Sequence, residues 1–391
     1  MVASRALLRV TLVGIIFSCG GPAREIARRP PVPVIRPLPP SPRPEATRVV
    51  RIRTGPYNSC AVTDREELIC WGPGDGRVAP RRSFSKILDV GQSSPPAGKF
   101  VDVALGTAHG CGLEPDGRVR CWGHGGDLEV CYTDGTTAPG LTGQPGDLQW
   151  TECPTGWPPF KFVAIEASDD GNLGMTSDGG VIGWGAIWRR GWPTPPYVAI
   201  SASRSMGERV DVCALRSTGG TDCLLGSYHV ALADNVESIS VGYLTCGLAK
   251  KRLICWDTET WKRTLGSGVP VAKVIPPRVL TAPELGLPDV DYAQVSCGAE
   301  ACCARTLDGQ ILCARINPNR ETIMDGAVPP QGNGYIDLSV SAQHACAVTA
   351  LGKVTCWGIN SAGQCDVPER IRAEDAPSIP SQDVPPPSGL R

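Results

Sequence analysis

Between Cys111 and Trp122 a run of alternating positions breaks at Pro115-Asp116-Gly117 and resumes until Cys121-Trp122. Alternation with a period of two marks a strand with one buried face. A break holding a Gly that accepts positive φ joins two such strands as a β-hairpin. The pattern recurs from Cys60, Leu173, Cys213, Cys246, Cys303 and Cys346, making seven copies. Ahead of the hairpins lie further strand-like runs ending near a small residue, as at 100–106, 162–165, 198–201, 236–242 and 335–340. Each unit therefore predicts at least three short strands, with room for a fourth in the variable stretch that follows the Trp position. Such units repeated around an axis are propeller blades, and seven is a number that closes a ring. The expected fold class is all-β, a seven-bladed β-propeller, with each Trp packed between adjacent blades.

The cysteines sharpen this picture. Cys111 and Cys121 are symmetric about Asp116, so they face each other across the hairpin, close enough for a disulfide. The same ten-residue spacing joins Cys60 to Cys70, Cys213 to Cys223, Cys303 to Cys313 and Cys346 to Cys356. Cys246 and Cys255 are one residue closer, at a turn (Ala249-Lys250-Lys251-Arg252) that has lost its Gly. In the third copy Leu173 and Gly183 replace both cysteines together, which is what a bonded pair predicts. Six within-blade cross-strand disulfides follow. Cys131 and Cys153, both in the long insert after Trp122, form an expected seventh. Cys297, Cys302 and Cys365 remain. Cys297 with Cys302 is the nearest pair, Cys303 competes as a partner, and an odd number leaves one thiol over.

The repeat resembles that of the regulator of chromosome condensation family. Gly106, His109, Gly117, Trp122 and Gly123 fill the family's places in the second copy. His344, Gly352, Trp357, Gly358, Asn360, Gly363 and Gln364 fill them in the last. The resemblance covers about residues 47–368 and implies a seven-bladed propeller. Leu224 and Ala314 depart from the pattern by replacing Trp, and Trp positions are spaced from 32 to 62 residues apart. Family members act mostly as interaction platforms. The founding member exchanges guanine nucleotide on a small GTPase and binds chromatin, and a secreted bacterial relative inhibits a β-lactamase. No motif in this chain carries either activity over.

Residues 1–18 read as an export signal: Arg5 and Arg9, then a short apolar core. Eight apolar residues are too few to span a bilayer, which takes roughly 20. Ile16-Phe17-Ser18-Cys19 resembles a bacterial lipobox, which makes Cys19 the expected lipidation site and mature N-terminus. Residues 19–46 read as a Pro- and Arg-rich linker, with nine prolines between 22 and 44. Extended at ~3.1 Å per residue, that stretch holds a propeller roughly 70 Å from its anchor. Residues 369–391 read as a second Pro-rich, coreless tail. Positions 22–53 hold eight Arg against Glu25 and Glu45, whereas 54–391 hold 28 basic against 37 acidic residues, a net of −9. An acidic propeller disfavours nucleic acid. Eighteen cysteines fit an oxidising compartment.

Candidate chemistry is sparse. No CxxC pair has zinc spacing, and His109 and His344 occupy one repeat position, which marks them as scaffold residues rather than metal ligands. No nucleophile elbow or phosphate-cradling loop occurs, and no cofactor is expected. Three stretches after Trp positions are rich in Trp and charge: 127–159 with Trp150 and Trp157, 186–196 with Trp188, Arg189, Arg190 and Trp192, and 257–268 with Trp261. All leave their blades at the same point, hence on one face. Trp and Arg predominate in interface hot spots. The expectation is a non-enzymatic, lipid-anchored envelope protein that binds a protein partner through these loops and touches membrane only through its lipid. A carbohydrate or cell-wall binder is the alternative, a hydrolase a more distant one.

Overall fold

The computed structural model describes residues 47–74, 91–123, 161–168, 171–185, 196–203, 211–225, 228–232, 235–266, 277–316 and 328–373. Cys131 and Cys153 lie outside these residues, as do Cys19, the linker and most of the tail.

Each hairpin is joined by the preceding run into an antiparallel meander, and seven such sheets follow in chain order. Blade 1 comprises β1 (Val49–Thr54), β2 (Ser59–Thr63) and β3 (Leu68–Trp71), and blade 2 comprises β4 (Asp102–Leu105), β5 (His109–Leu113) and β6 (Val119–Gly123). Blade 3 is β7 (Phe162–Ala167), β8 (Gly171–Thr176) and β9 (Val181–Gly185). Blade 4 has four strands, β10 (Tyr197–Ala202), β11 (Val212–Arg216), β12 (Thr221–Leu225) and β13 (Tyr228–Ala231). So does blade 5, with β14 (Ser238–Val241), β15 (Thr245–Ala249), β16 (Arg252–Trp256) and β17 (Val279–Thr281); helix α1 (Thr258–Gly266) lies between the last two. Blade 6 is β18 (Tyr292–Cys297), β19 (Ala301–Thr306) and β20 (Ile311–Arg315), and blade 7 is β21 (Tyr335–Val340), β22 (His344–Thr349) and β23 (Val354–Gly358). Among the described residues a fourth strand occurs only in blades 4 and 5, and blade 4 fits it although the next Trp position follows after only 32 residues.

One hydrogen bond recurs at all seven seams. The left-handed residue of each hairpin turn offers its carbonyl to the first residue of the next inner run. Phe100 N bonds Glu66 O at 2.7 Å, Phe162 N bonds Gly117 O at 2.8 Å, and Val49 N closes the ring on Gly352 O at 3.1 Å. Five of these turn residues are Gly, and their open side admits the neighbouring backbone: a Cβ on Gly352 would stand 2.8 Å from the Cα of Arg48. Glu66 and Lys251 adopt the same conformation without being Gly, at φ 62° and 63°. In blade 5 both Lys250 and Lys251 have positive φ, a two-residue loop of the type that matches strand twist. This tighter loop is why Cys246 and Cys255 sit nine residues apart rather than ten.

The six hairpin disulfides join facing residues, Cys60–Cys70, Cys111–Cys121, Cys213–Cys223, Cys246–Cys255, Cys303–Cys313 and Cys346–Cys356. The Trp side chains project from the other face of their strands into the preceding blade. Trp122 packs on Cys60, Val62 and Cys70, and Trp71 on Val348, Val354 and Cys356. Leu224 takes the Trp place in blade 4 against Leu173 and Met175. Blade 6 solves the loss of its Trp differently. Ala314 faces Cys302, and Cys302 is bonded to Cys297 of the inner strand, so a second disulfide fills the space against blade 5. That settles the choice left open between Cys302 and Cys303.

The packed chain runs beyond residue 368. Val367 and Ile371 are buried with Trp71 between blades 7 and 1, Arg372 bridges to Val354, and Ala373 N bonds Val354 O at 3.0 Å. A Pro at 368 permits this because it caps a short 3-10 turn (Glu369–Ile371) rather than ending packed structure.

Candidate functional site

The first strand of every blade is innermost. β1 packs against β4 and β21, β4 against β7, β7 against β10, β10 against β14, β14 against β18 and β18 against β21, so seven strands surround a central channel. A cavity of about 120 Å³ opens in it, walled by Arg53, Glu166, Ser201, Ser240, Gln294 and Ser296, among others. Arg53, Glu166, Ser201, Ser240 and Ser296 occupy equivalent inward positions of the inner strands, each paired with the position of the first hairpin cysteine, and Gln294 lies two residues earlier on its strand. The strands run so that this level lies nearer the face where third strands end, the face from which the variable stretches leave.

Arg53 is the channel's central charge. Its guanidinium bonds Asp102 Oδ2 at 3.2 Å and the Ile52 carbonyl at 3.0 Å, and Asp337 Oδ2 lies 3.7 Å away. Burial alone would lower its affinity for the proton, but Asp102, Asp337 and Glu166 together raise it, so it is a permanent cation. Asp102 also receives Arg51 at 2.6 Å. Asp337 accepts Ile52 N and Gln294 Nε2, both at 2.8 Å. The inner wall is thus a cross-blade polar lattice linking blades 1, 2, 6 and 7. Sequence reasoning missed it. The signal was an Arg-x-Arg in the first inner strand and Asp at an inward position of the second and seventh, visible only once the runs are aligned.

Of the candidate binding residues, Trp261 lies within the described chain. It sits half-buried on α1, among Leu225, Val230, Leu232 and Ile239, with its ring edge-on to Tyr228 at 6.2 Å. Asp257 starts the helix by accepting Thr260 N at 3.0 Å, an Asx cap. Lys262 bridges Asp211 at 2.5 Å and Glu259 at 2.9 Å. Burial lowers the lysine's pKa less than these carboxylates raise it, so it stays charged. Helix α1 therefore straps the stretch after Trp256 onto blade 4. Trp150, Trp157, Trp188, Arg189, Arg190 and Trp192 lie outside the described residues.

The remaining titratable groups are scaffold. His109 Nε2 pairs with Asn172 Oδ1 at 3.0 Å, and His344 Nε2 with Ser59 Oγ at 2.7 Å, each tying its blade to the next. Burial pushes the His344 imidazole down to about 3. Cys365 is a free thiol. Burial and then Asp366 push its pKa up, so it is a poor nucleophile at neutral pH. The sulfurs of Cys246, Cys297 and Cys302 lie within 4.8 Å of one another, as metal ligands would, but all three are in disulfides and not thiolates.

Two stretches, residues 100–127 and 335–364, match the Regulator of chromosome condensation (RCC1) repeat. The chain is 25% identical over 295 residues to the mouse RCC1-like G exchanging factor-like protein, a match that covers 72% of this chain and 55% of that protein. It thus spans about half the length of that relative. A similar match extends to the human protein of that name. Among solved structures, yeast RCC1 (Prp20) bound to Kap60 superposes with a TM-score of 0.53 at 16% identity, covering 85% of this chain and 84% of that one. The CRINKLY WD40 ectodomain of the Arabidopsis thaliana receptor kinase ACR4 gives 0.52 at 18% identity, covering 80% and 95%. These likenesses show the RCC1-like propeller fold.

Proposed function

We propose that this chain is an exported protein, lipid-anchored at Cys19 in a bacterial envelope, whose propeller is a non-enzymatic platform for a protein partner. The carrying observation is geometric. All third strands end on one face, and the variable stretches rich in Trp and Arg leave from there on a frame held by seams and disulfides. Rigid scaffolds presenting variable loops are built for recognition. The relatives support the platform reading: one RCC1-like structure is of yeast RCC1 (Prp20) bound to Kap60, and another concerns Prp20p and its binding to Gsp1p and histones. The export signal, the lipobox-like Cys19 and the many disulfides support the compartment.

The test is cross-linked capture from envelope extract with the intact propeller and with a form whose residues 127–159 are replaced by a short linker. One partner retained only by the intact form supports the reading. Equal capture of wall glycan by both forms transfers it to the carbohydrate alternative. Capture of a small GTPase, with nucleotide exchange on it, would overturn the envelope assignment. Labelling with a radioactive fatty acid, lost in Cys19→Ala, tests the anchor separately.

A further inference from the structure

The channel wall holds hydrogen-bond donors that the protein itself does not use. Ser201, Ser240 and Ser296 stand at one level on three consecutive inner strands. Each hydroxyl oxygen accepts a backbone N–H from the next strand: Val241 N at 3.0 Å, Cys297 N at 2.9 Å and Val340 N at 2.9 Å. Those bonds fix where the oxygens lie. None of the three hydroxyl hydrogens meets an acceptor among the described residues, although these serines are only 8%, 9% and 8% exposed. Ser339, next in the series, differs, because its hydroxyl is shared with Thr54 Oγ1 at 2.9 Å. Across the channel Arg53 Nε is buried without a partner among the described residues, while its terminal nitrogens are held by Asp102 and the Ile52 carbonyl. Glu166 supplies a carboxylate on the same wall.

Buried donors without acceptors are destabilising and are retained where something else accepts from them. The cavity is about 120 Å³. At ~10–15 Å³ per water on this measure, it takes roughly ten water-sized groups. That is the size of a monosaccharide rather than of a single ion. Charge argues the same way. Asp102, Asp337 and Glu166 already surround Arg53 and raise its hold on the proton, so the channel's cation is balanced by acidic neighbours and an anion gains no advantage. The inward O–H and N–H groups oppose a cation. A polyol satisfies both sets, accepting from the serines and the guanidinium and donating to Glu166.

We propose that the central channel is a binding site for a neutral polyhydroxylated small molecule of monosaccharide size, held by Ser201, Ser240, Ser296, Arg53 and Glu166. This site is separate from the loop face proposed for a protein partner. It is tested by titrating the full chain calorimetrically with D-glucose, N-acetyl-D-glucosamine and myo-inositol, with acetate and ammonium as charged controls. Saturable binding of at least one polyol is expected, weakened at least ten-fold in Glu166→Gln and in Ser240→Ala, with melting curves confirming that both variants fold. Should Ser240→Ala fail to fold, the near-isosteric Glu166→Gln decides alone. Absence of polyol binding, binding that survives in the folded variants, or preference for acetate or ammonium would each overturn the proposal.

Discussion

A left-handed turn residue at each seam does two things at once, reversing the chain and handing a carbonyl to the next blade. Gly serves best because αL costs a residue with a Cβ about 1–2 kcal/mol. Lys251→Gly and Glu66→Gly should therefore each stabilise the protein by about 1 kcal/mol in denaturant unfolding. Gly352→Ala should destabilise it by on the order of 2 kcal/mol, because the added Cβ also meets the Arg48 backbone. His344 offers a second test at this scale. Its folded pKa of about 3 lies below the ordinary 6.5. The folded state thus binds fewer protons, so stability is complete above pH 6.5 and falls as the pH drops toward 3. By pH 4 the loss from this group is about 3 kcal/mol. The stability of His344→Gln should fall less steeply over that window, as followed by urea midpoints.

At the scale of elements, the Trp positions show how a repeat tolerates variation. Trp71 Nε1 donates to Gln364 O at 2.9 Å and Trp122 Nε1 to Gln92 O at 2.8 Å, both Gln residues preceded by Gly in the blade before. The stretches after the third strands of blades 3, 4, 5 and 6 contain no Gly-Gln pair. In blades 4 and 6 the Trp itself is gone. In blades 5 and 7 it remains, and the buried N–H groups of Trp256 and Trp357 have no partner among the described residues. Trp122→Phe should thus cost about 1–2 kcal/mol more than Trp256→Phe, since only the former strands a buried carbonyl. Thermal melts of the two variants compare them directly. Helix α1 is held by a shielded ion pair. Lys262→Ala removes the charge-assisted bond to Asp211, whose side chain is 5% exposed, and should destabilise by about 1.5–3 kcal/mol, with protease cleavage appearing first within 257–266.

For the whole molecule, the decisive feature is closure. Blade 7 meets blade 1 through the Gly352 carbonyl, Asp337 on Ile52 N, Ser339 on Thr54 N at 3.0 Å and His344 on Ser59. Val367 and Ile371 then cover the seam over Trp71. A chain ending at residue 366 should melt several degrees below one ending at 373, because two buried aliphatic side chains are each worth about 1.5–3 kcal/mol. The two truncations, followed by circular dichroism, test whether the seam is sealed from beyond the last repeat.

The hairpins, their disulfides and the number of blades were legible in the sequence because they rest on local alternation, turn chemistry and spacing. Those signals lie within a dozen residues, and seven copies repeat them. The choice of Cys302 over Cys303 as the partner of Cys297, the packing of 369–373 and the donor-rich channel were not legible. Each depends on which side chains from distant runs come to one place. Ala314 leaves a space that only the neighbouring blade defines, and Arg53, Glu166 and the three serines become a single wall only when inner strands far apart in the chain stand side by side. Local pattern determined the blades; ring closure decided what faces the axis and what seals the seam.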